Sequence, residues 1–309
     1  MRFQVGESLQ ERAGYYRTRE LLRRAKSSWK HFRSVRTAEV GLVIVLCFAV
    51  MAIIPQLLAP YPPKSIAFGV LLAPSWVHPF GTDTIGRDMF SRIIWGSQVS
   101  MTFGLLAAGL SMLIGTPLGL IAGYYGGWLD HVLSRFFEII LMIPAFFLLV
   151  MVVAIFGNNL DFEILIVGVT IWPANARIMR ASVLSLKERK FVRAAVATGA
   201  RKSRVVLRHI LPNAIQPVIT NTNLQIGQAI LFEAGMAFLG LSDPNVISWG
   251  QMVNLGVYHL IDAWWLAFFP GLALTLLILG FNLTGDGVAA MFGLERPTAA
   301  GITSQEVEK

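Results

Sequence analysis

Charge is scarce in this chain of 309 residues: 14% is Asp, Glu, Lys or Arg, against 55% hydrophobic residues. A soluble domain carries about 25% charged residues, so this composition cannot coat a large water-facing globule, and a large soluble enzyme is excluded. Cysteine is scarcer still. The single Cys47 rules out an intrachain disulfide and, inside an apolar run, is expected to be a small core residue. His31, His78, His131, His209 and His259 are scattered, without an H-E-x-x-H, so no local zinc site or Cys/His nucleophile can be assembled. No G-x-x-x-x-G-K-[ST] phosphate cradle occurs. Gly285, Gly287 and Ala290 fit G-x-G-x-x-A, but they follow an apolar run and leave about 20 residues, too few for a βαβ dinucleotide fold. Repeats and low-complexity tracts are also missing, which removes solenoids and interdomain linkers.

What is present is a series of six apolar runs: Val40–Leu58, Ser100–Tyr124, Phe136–Phe156, Ile164–Met179, Ile215–Leu239 and Trp264–Leu283. A helix needs about 20 apolar residues to cross hydrocarbon, so the sequence predicts an all-α polytopic membrane protein with six transmembrane helices. The first run follows a basic segment far longer than a signal-peptide n-region and reads as an uncleaved anchor. The fourth is short and interrupted by Pro173. The expected division is a basic amphipathic segment over 1–39, a first span over 40–60 and an extracytoplasmic loop over 61–98. A core with five spans follows over 99–290, containing an inner hairpin at 185–212, and a tail covers 291–309.

The net charge of +8 invites a nucleic-acid reading, but its placement points elsewhere. Of 26 Lys and Arg, 10 precede Ala38 and 10 lie between Arg177 and Arg208. With the N-terminus inside, 23 fall on the inner side and only Lys64, Arg87 and Arg92 on the outer side. The positive-inside rule then puts both termini in the cytoplasm of an inner-membrane protein, and nucleic acid is not an expected partner. Leu9, Ala13, Tyr16, Leu21, Ala25, Trp29 and Phe32 recur at near-helical spacing. That segment is expected to lie on membrane lipid, each basic residue gaining about 1 kcal/mol from anionic headgroups.

Ala107, Ser111, Gly115, Gly119 and Gly123 fall every four residues, giving a nearly bare helix face for close packing. Asn221, Gln225 and Gln228 recur at i, i+4 and i+7. An unpaired amide in hydrocarbon costs several kcal/mol, which leaves two readings: hydrogen bonds between helices, or the lining of a hydrated path. Glu138 and Glu233 sit near predicted span ends and form no midplane relay, although an intramembrane carboxylate is a functional candidate by default. In the inner loop, Ser185 and Glu188 have capping-box spacing, Leu186–Thr198 reads as a helix stopped by Gly199, and Ser203 is placed to cap a second helix ending at Pro212. Such a basic hairpin either binds lipid headgroups or acts as a rigid lever for a cytoplasmic partner. Ala194 and Ala195 favour the lever, since small side chains let a partner approach the backbone.

Arg193-Ala194-Ala195, Gly199 and His209-Ile210-Leu211-Pro212 resemble the EAA motif of ABC-importer permeases, E-A-A-x3-G-x9-I-x-L-P, with Arg193 in place of Glu and His209 in place of Ile. His78-Pro79-Phe80-Gly81-Thr82-Asp83, Gly86-Arg87-Asp88, Ser91-Arg92, Phe238-Leu239-Gly240-Leu241 and Ser248-Trp249-Gly250 extend the likeness. They resemble the C-type subunit of the dipeptide, oligopeptide and nickel permeases, up to about residue 290. The family's usual Arg-Asp and Asp-Pro after the last span are replaced by Val288–Leu294.

The resemblance implies a type I ABC-importer permease fold and no cofactor in this chain. It also implies one half of a pore shared with a B-type permease, two cytoplasmic ATPases that hold ATP and Mg, and an extracytoplasmic solute-binding protein. Arg193, Ala194, Ala195, Gly199, His209, Leu211 and Pro212 would then couple to an ATPase. The solute stays open: dipeptide, longer peptide, glutathione-like compound, opine and nickel chelate all fit. Arg87 and Asp88 read either as the wet side of an apolar scaffold helix or as a contact for the binding protein, and Trp249 as an interfacial anchor. The rivals are an ion-coupled secondary transporter acting alone and a membrane scaffold without a solute path.

Overall fold

The structure, a computed structural model, describes residues 31–33 and 35–293. Most of the segment expected on the lipid surface, Leu9 to Trp29, and the tail beyond Gly293 lie outside the described residues. Among the described residues there are helices and loops but no strand, only an isolated bridge between Thr82 and Asp88.

Helix α1 is Arg36–Ile53. It stops where Pro55 removes a donor and forces Ile54 out of the helical region (φ −126°, ψ 49°), leaving the short turn α2, Pro55–Leu58. Helix α3, Met89–Tyr125, begins well before the predicted Ser100, because the Asp88 carboxylate caps it by accepting the Ser91 N–H at 2.8 Å. Its 37 residues make it about 55 Å long.

The third apolar run is two helices rather than one span. These are α4, Gly127–Met142, and α5, Ala145–Phe156, bent by 74°. The cause is Pro144, which holds Ile143 extended (φ −82°, ψ 121°). Pro173 has no such effect: α6, Leu160–Lys187, runs through it unbroken. Packing along α3 outweighs the single backbone bond a proline removes.

Helix α7, Lys190–Ala197, and the one-turn α8, Lys202–Val205, lead into a π-helical turn, Val206–Ile210. That turn continues directly into α9, Leu211–Phe238, so the hairpin does not end at Pro212 as the sequence suggested. Pro212 has no N–H for the Arg208 carbonyl, and the wider turn, with Leu211 N–H reaching Val206 O, accommodates the loss. Helices α10, Trp249–Val257, and α11, Trp265–Met291, complete the described chain.

Close approaches fix the register. A Cβ on Gly115 would lie 2.6 Å from Trp172 O, on Gly119 2.2 Å from Ala176 O, and on Gly123 2.8 Å from Val183 Cβ. Thus α3 and α6 run parallel with their backbones nearly touching. Helix α9 runs antiparallel to α3, with Gly104 against Ile226 and Ile230. Helix α11 packs on α9 near Asn223 and on α1 near Gly41, and Gly287 accepts the ring of Phe32. The Gly285 and Gly287 pattern therefore serves helix packing.

By length and composition, α1, α3, α6 and α11 are apolar enough to cross a membrane, and the bent pair α4 and α5 makes a fifth if it counts as one span. Helix α9 is long enough at 28 residues but is not among them; Asn221, Asn223, Gln225 and Gln228 dilute its hydropathy. Cys47 is exposed on α1, against the expectation of a core position.

Candidate functional site

The hairpin between α6 and α9 grows out of the bundle core. Val192, Val205 and Ile210 form one buried cluster with Met179 and Val183 of α6 and Ala214 and Val218 of α9. Ser185 lies inside α6 and caps nothing, because α6 persists to Lys187 before the chain turns. Ser203 lies inside α8, whose N-cap is Arg201 without a side-chain bond. The turn itself forms as Gly199 requires. Its φ is +77°, Gly199 N–H reaches Val196 O at 3.0 Å, and Ala200 N–H reaches Ala195 O at 3.1 Å, which is a Schellman termination.

The opposite face of the hairpin is open. Phe191 is 46% exposed, Val196 56% and Leu207 62%, beside exposed Ala194, Ala197, Gly199 and Arg193. Apolar side chains thus lie exposed among cations and small residues. Arg193 pairs with Glu188 on this exposed side. His209 is half-buried, and its carbonyl accepts Asn213 Nδ2 at 2.8 Å. Leu211 is packed against the cluster, while Pro212 is exposed in the first turn of α9.

Farther along the bundle, the amides of α9 meet a residue that the sequence did not single out, Asn175. Its Nδ2 donates to Gln225 Oε1 at 2.8 Å and contacts Ser111 Oγ at 3.1 Å and Thr222 Oγ1 at 3.2 Å. Its Oδ1 accepts Asn221 Nδ2 at 2.8 Å. Gln225 also donates to Ile171 O and accepts from Ser111 Oγ. Asn221 and Gln225 are thus bonded between helices, joining α3, α6 and α9, while Gln228 is exposed. Ala107, Gly115, Gly119 and Gly123 lie buried on the same α3 stripe as Ser111. Nearer the hairpin, Arg180 binds Asp130 of α4 through two bonds of 2.5 and 2.8 Å, and Lys187 donates to Tyr124 O.

At the other end of α3, the loop that precedes it is a tight scaffold. Asp83 accepts the N–H groups of Ile85 and Arg87 and the Arg87 Nε–H at 2.6 Å. Asp88 is 1% exposed and committed to His78 Nδ1, Ser91 N–H and Ser91 Oγ. Trp249 is not interfacial: it is wholly buried, donates to Ile93 O at 2.9 Å and packs on Gly96. Two fully buried carboxylates lie toward this end, Glu233 of α9 and the unforeseen Glu163 of α6. Ser100 Oγ is 3.5 Å from Glu233 Oε2, and neither oxygen of Glu163 has a hydrogen-bond partner among the described residues.

Two family models match the sequence. One, described as the binding-protein-dependent transport system inner membrane component, covers residues 115–293. The other, the N-terminal TM domain of oligopeptide transport permease C, covers residues 24–74. The dipeptide transport system permease protein DppC of Alkalihalophilus pseudofirmus is 38% identical over 265 residues, covering 85% of this chain and 87% of the relative. The probable D,D-dipeptide permease DdpC of Escherichia coli is 37% identical over 283 residues, covering 91% and 93%. The glutathione permease GsiD of Pectobacterium atrosepticum is 35% identical over 263 residues, covering 84% and 87%. Among solved structures, the inward-facing MetNI methionine ABC transporter shares the fold with a TM-score of 0.52 at 19% identity, over 67% of this chain and 98% of that one. With its buried helix seams and an open hairpin fed by two long helices, the chain belongs to the binding-protein-dependent transport system inner membrane components and is a membrane permease subunit rather than an enzyme.

Proposed function

We propose that this chain forms one half of the pore of an ATP-driven importer for peptides or similar small solutes. Its partners in this reading are a B-type permease, two cytoplasmic ATPases that bind ATP and Mg, and an extracytoplasmic solute-binding protein. Helix α9 serves as the sixth span, with its amides satisfied by neighbouring helices, and both termini face the cytoplasm. Arg193, Ala194, Ala195 and Gly199 enter a groove of an ATPase, while His209, Leu211 and Pro212 carry the motion into α9. Gln228, exposed on this isolated chain, faces the path or the second permease, and Arg87 offers the binding protein its partly exposed guanidinium.

One observation carries the reading. The hairpin is rooted in the bundle core through Val192, Val205 and Ile210 but leaves Phe191, Ala194, Val196 and Leu207 uncovered. A lipid-binding loop needs cations on flexible stems, whereas this element has a rigid inner face and an outer face shaped for a protein. An ion-coupled carrier acting alone has no use for such a handle.

The test is Ala194→Cys in the full transporter, crosslinked to single cysteines along the ATPase groove. Expected is an ATP-sensitive crosslink, together with ATP hydrolysis stimulated by loaded binding protein. A hairpin that crosslinks only to lipid, or uptake that survives removal of the ATPases, overturns the proposal.

A further inference from the structure

The three basic residues that charge placement leaves on the outer side gather at one place. Lys64, Arg87 and Arg92 line an open cavity of about 350 Å³, closed on its other side by Asn245, Gln251 and Leu255. No carboxylate lines it. The adjoining Asp83 is taken by Arg87 at 2.6 Å and by two backbone N–H groups, and it lies 3.9 Å from Arg92 Nε. On the far wall, Asp243 is taken by the backbone N–H and side-chain amide of Asn245, so two acids, both engaged, stand against three cations.

Arg92 is the second, independent sign. It is only 5% exposed, its Nη1 is anchored on Pro63 O at 3.2 Å, and its Nε–H has no hydrogen-bond partner among the described residues. Its Nε is buried on the Asp83 side, so what the cavity meets is a guanidinium fixed in the wall of a concave site of small-ligand size, a geometry suited to an oxyanion. Low-dielectric walls focus the field of the remaining positive charge into the opening.

We propose that this cavity binds a carboxylate or phosphate group. Its two sources are the terminal carboxylate of an incoming solute and the headgroup of an anionic lipid. Only the solute assignment rests on the importer reading; the site itself does not. Asn245 is exposed at the rim, so an acid introduced there cancels the local positive excess without disturbing the core.

The experiment uses the full chain, co-purified with its partner subunits, in phosphatidylcholine nanodiscs without binding protein. Dialanine and its C-terminal amide are titrated calorimetrically. Dialanine is expected to bind at least about tenfold more tightly than the amide, and Lys64→Glu and Asn245→Asp are each expected to weaken it about tenfold, with thermal midpoints unchanged. In the lipid arm, phosphatidylglycerol retention by the purified complex is measured: retention lost in the same two variants assigns the cavity to a headgroup.

Equal binding of acid and amide, together with phosphatidylglycerol retention unchanged in both variants, overturns the proposal, as does a failure of the two variants to affect either dialanine or phosphatidylglycerol. Loss of binding-protein association in those variants, without any oxyanion effect, also overturns it and makes the cavity a protein contact. The Ala194→Cys crosslink, followed in the same preparations, reports on the importer reading separately.

Discussion

Single side chains hold the middle of this bundle together, and Asn175 is the one on which three helices depend. Replacing it with Leu leaves Asn221 without its partner and takes a donor from Gln225, so Asn175→Leu is expected to cost about 2 kcal/mol, read as a lower melting midpoint in detergent. Glu163 predicts the opposite sign. Its buried carboxylate has no partner among the described residues, and exchanging an unsatisfied polar group for an apolar one of similar shape stabilises. Glu163→Leu should raise the melting midpoint by the equivalent of about 1 kcal/mol; a lowered midpoint contradicts the geometry.

The amides of α9 were legible in the sequence because three of them share a helical face. Asn175 and Glu163 were not, since each stands alone among apolar neighbours and only the fold brings its counterpart. Cys47 and Trp249 went wrong for a related reason: residue type alone does not say which side of a helix meets a neighbour. Cys47 faces outward, and Trp249 fills the gap left by Gly96.

At the scale of elements, glycine signals were more dependable than polar caps. Gly199 stops α7 because φ of +77° is open to it at little cost. Ser185 and Ser203 have suitable neighbours for capping but sit inside helices that tertiary packing prolongs. Likewise Pro144 breaks its run, while Pro173 lies in a helix braced along α3 and breaks nothing. Gly199→Val is therefore expected to strain the turn by about 1–2 kcal/mol and to uncouple ATP hydrolysis from uptake while the protein still inserts. Uptake measured in vesicles beside ATP consumption checks this, and a normal ratio of the two contradicts it.

Across the whole molecule, α4 is tied to α6 by the packing of Phe136 and Phe137 on Trp172 and, nearer the hairpin, by Asp130 and Arg180, whose side chains are 14% and 30% exposed. A double-mutant cycle with Asp130→Asn and Arg180→Gln should return a coupling of about 1–2 kcal/mol from thermal denaturation, and strictly additive losses would show the pair to be idle. The helical architecture and the hairpin were visible from hydropathy and spacing. The bend in the third run was not, because hydropathy averages over the single proline, Pro144, that decides it.

Helix α6 has no break between Leu160 and Lys187, which makes it a rod about 42 Å long. A tilt of about 10° around the Asn175 junction shifts its two ends in opposite directions by several ångströms. In the proposed importer, a tug on the hairpin end would therefore reappear, reversed, beside Glu163, so that one see-saw stroke would open one mouth of the bundle as it shut the other.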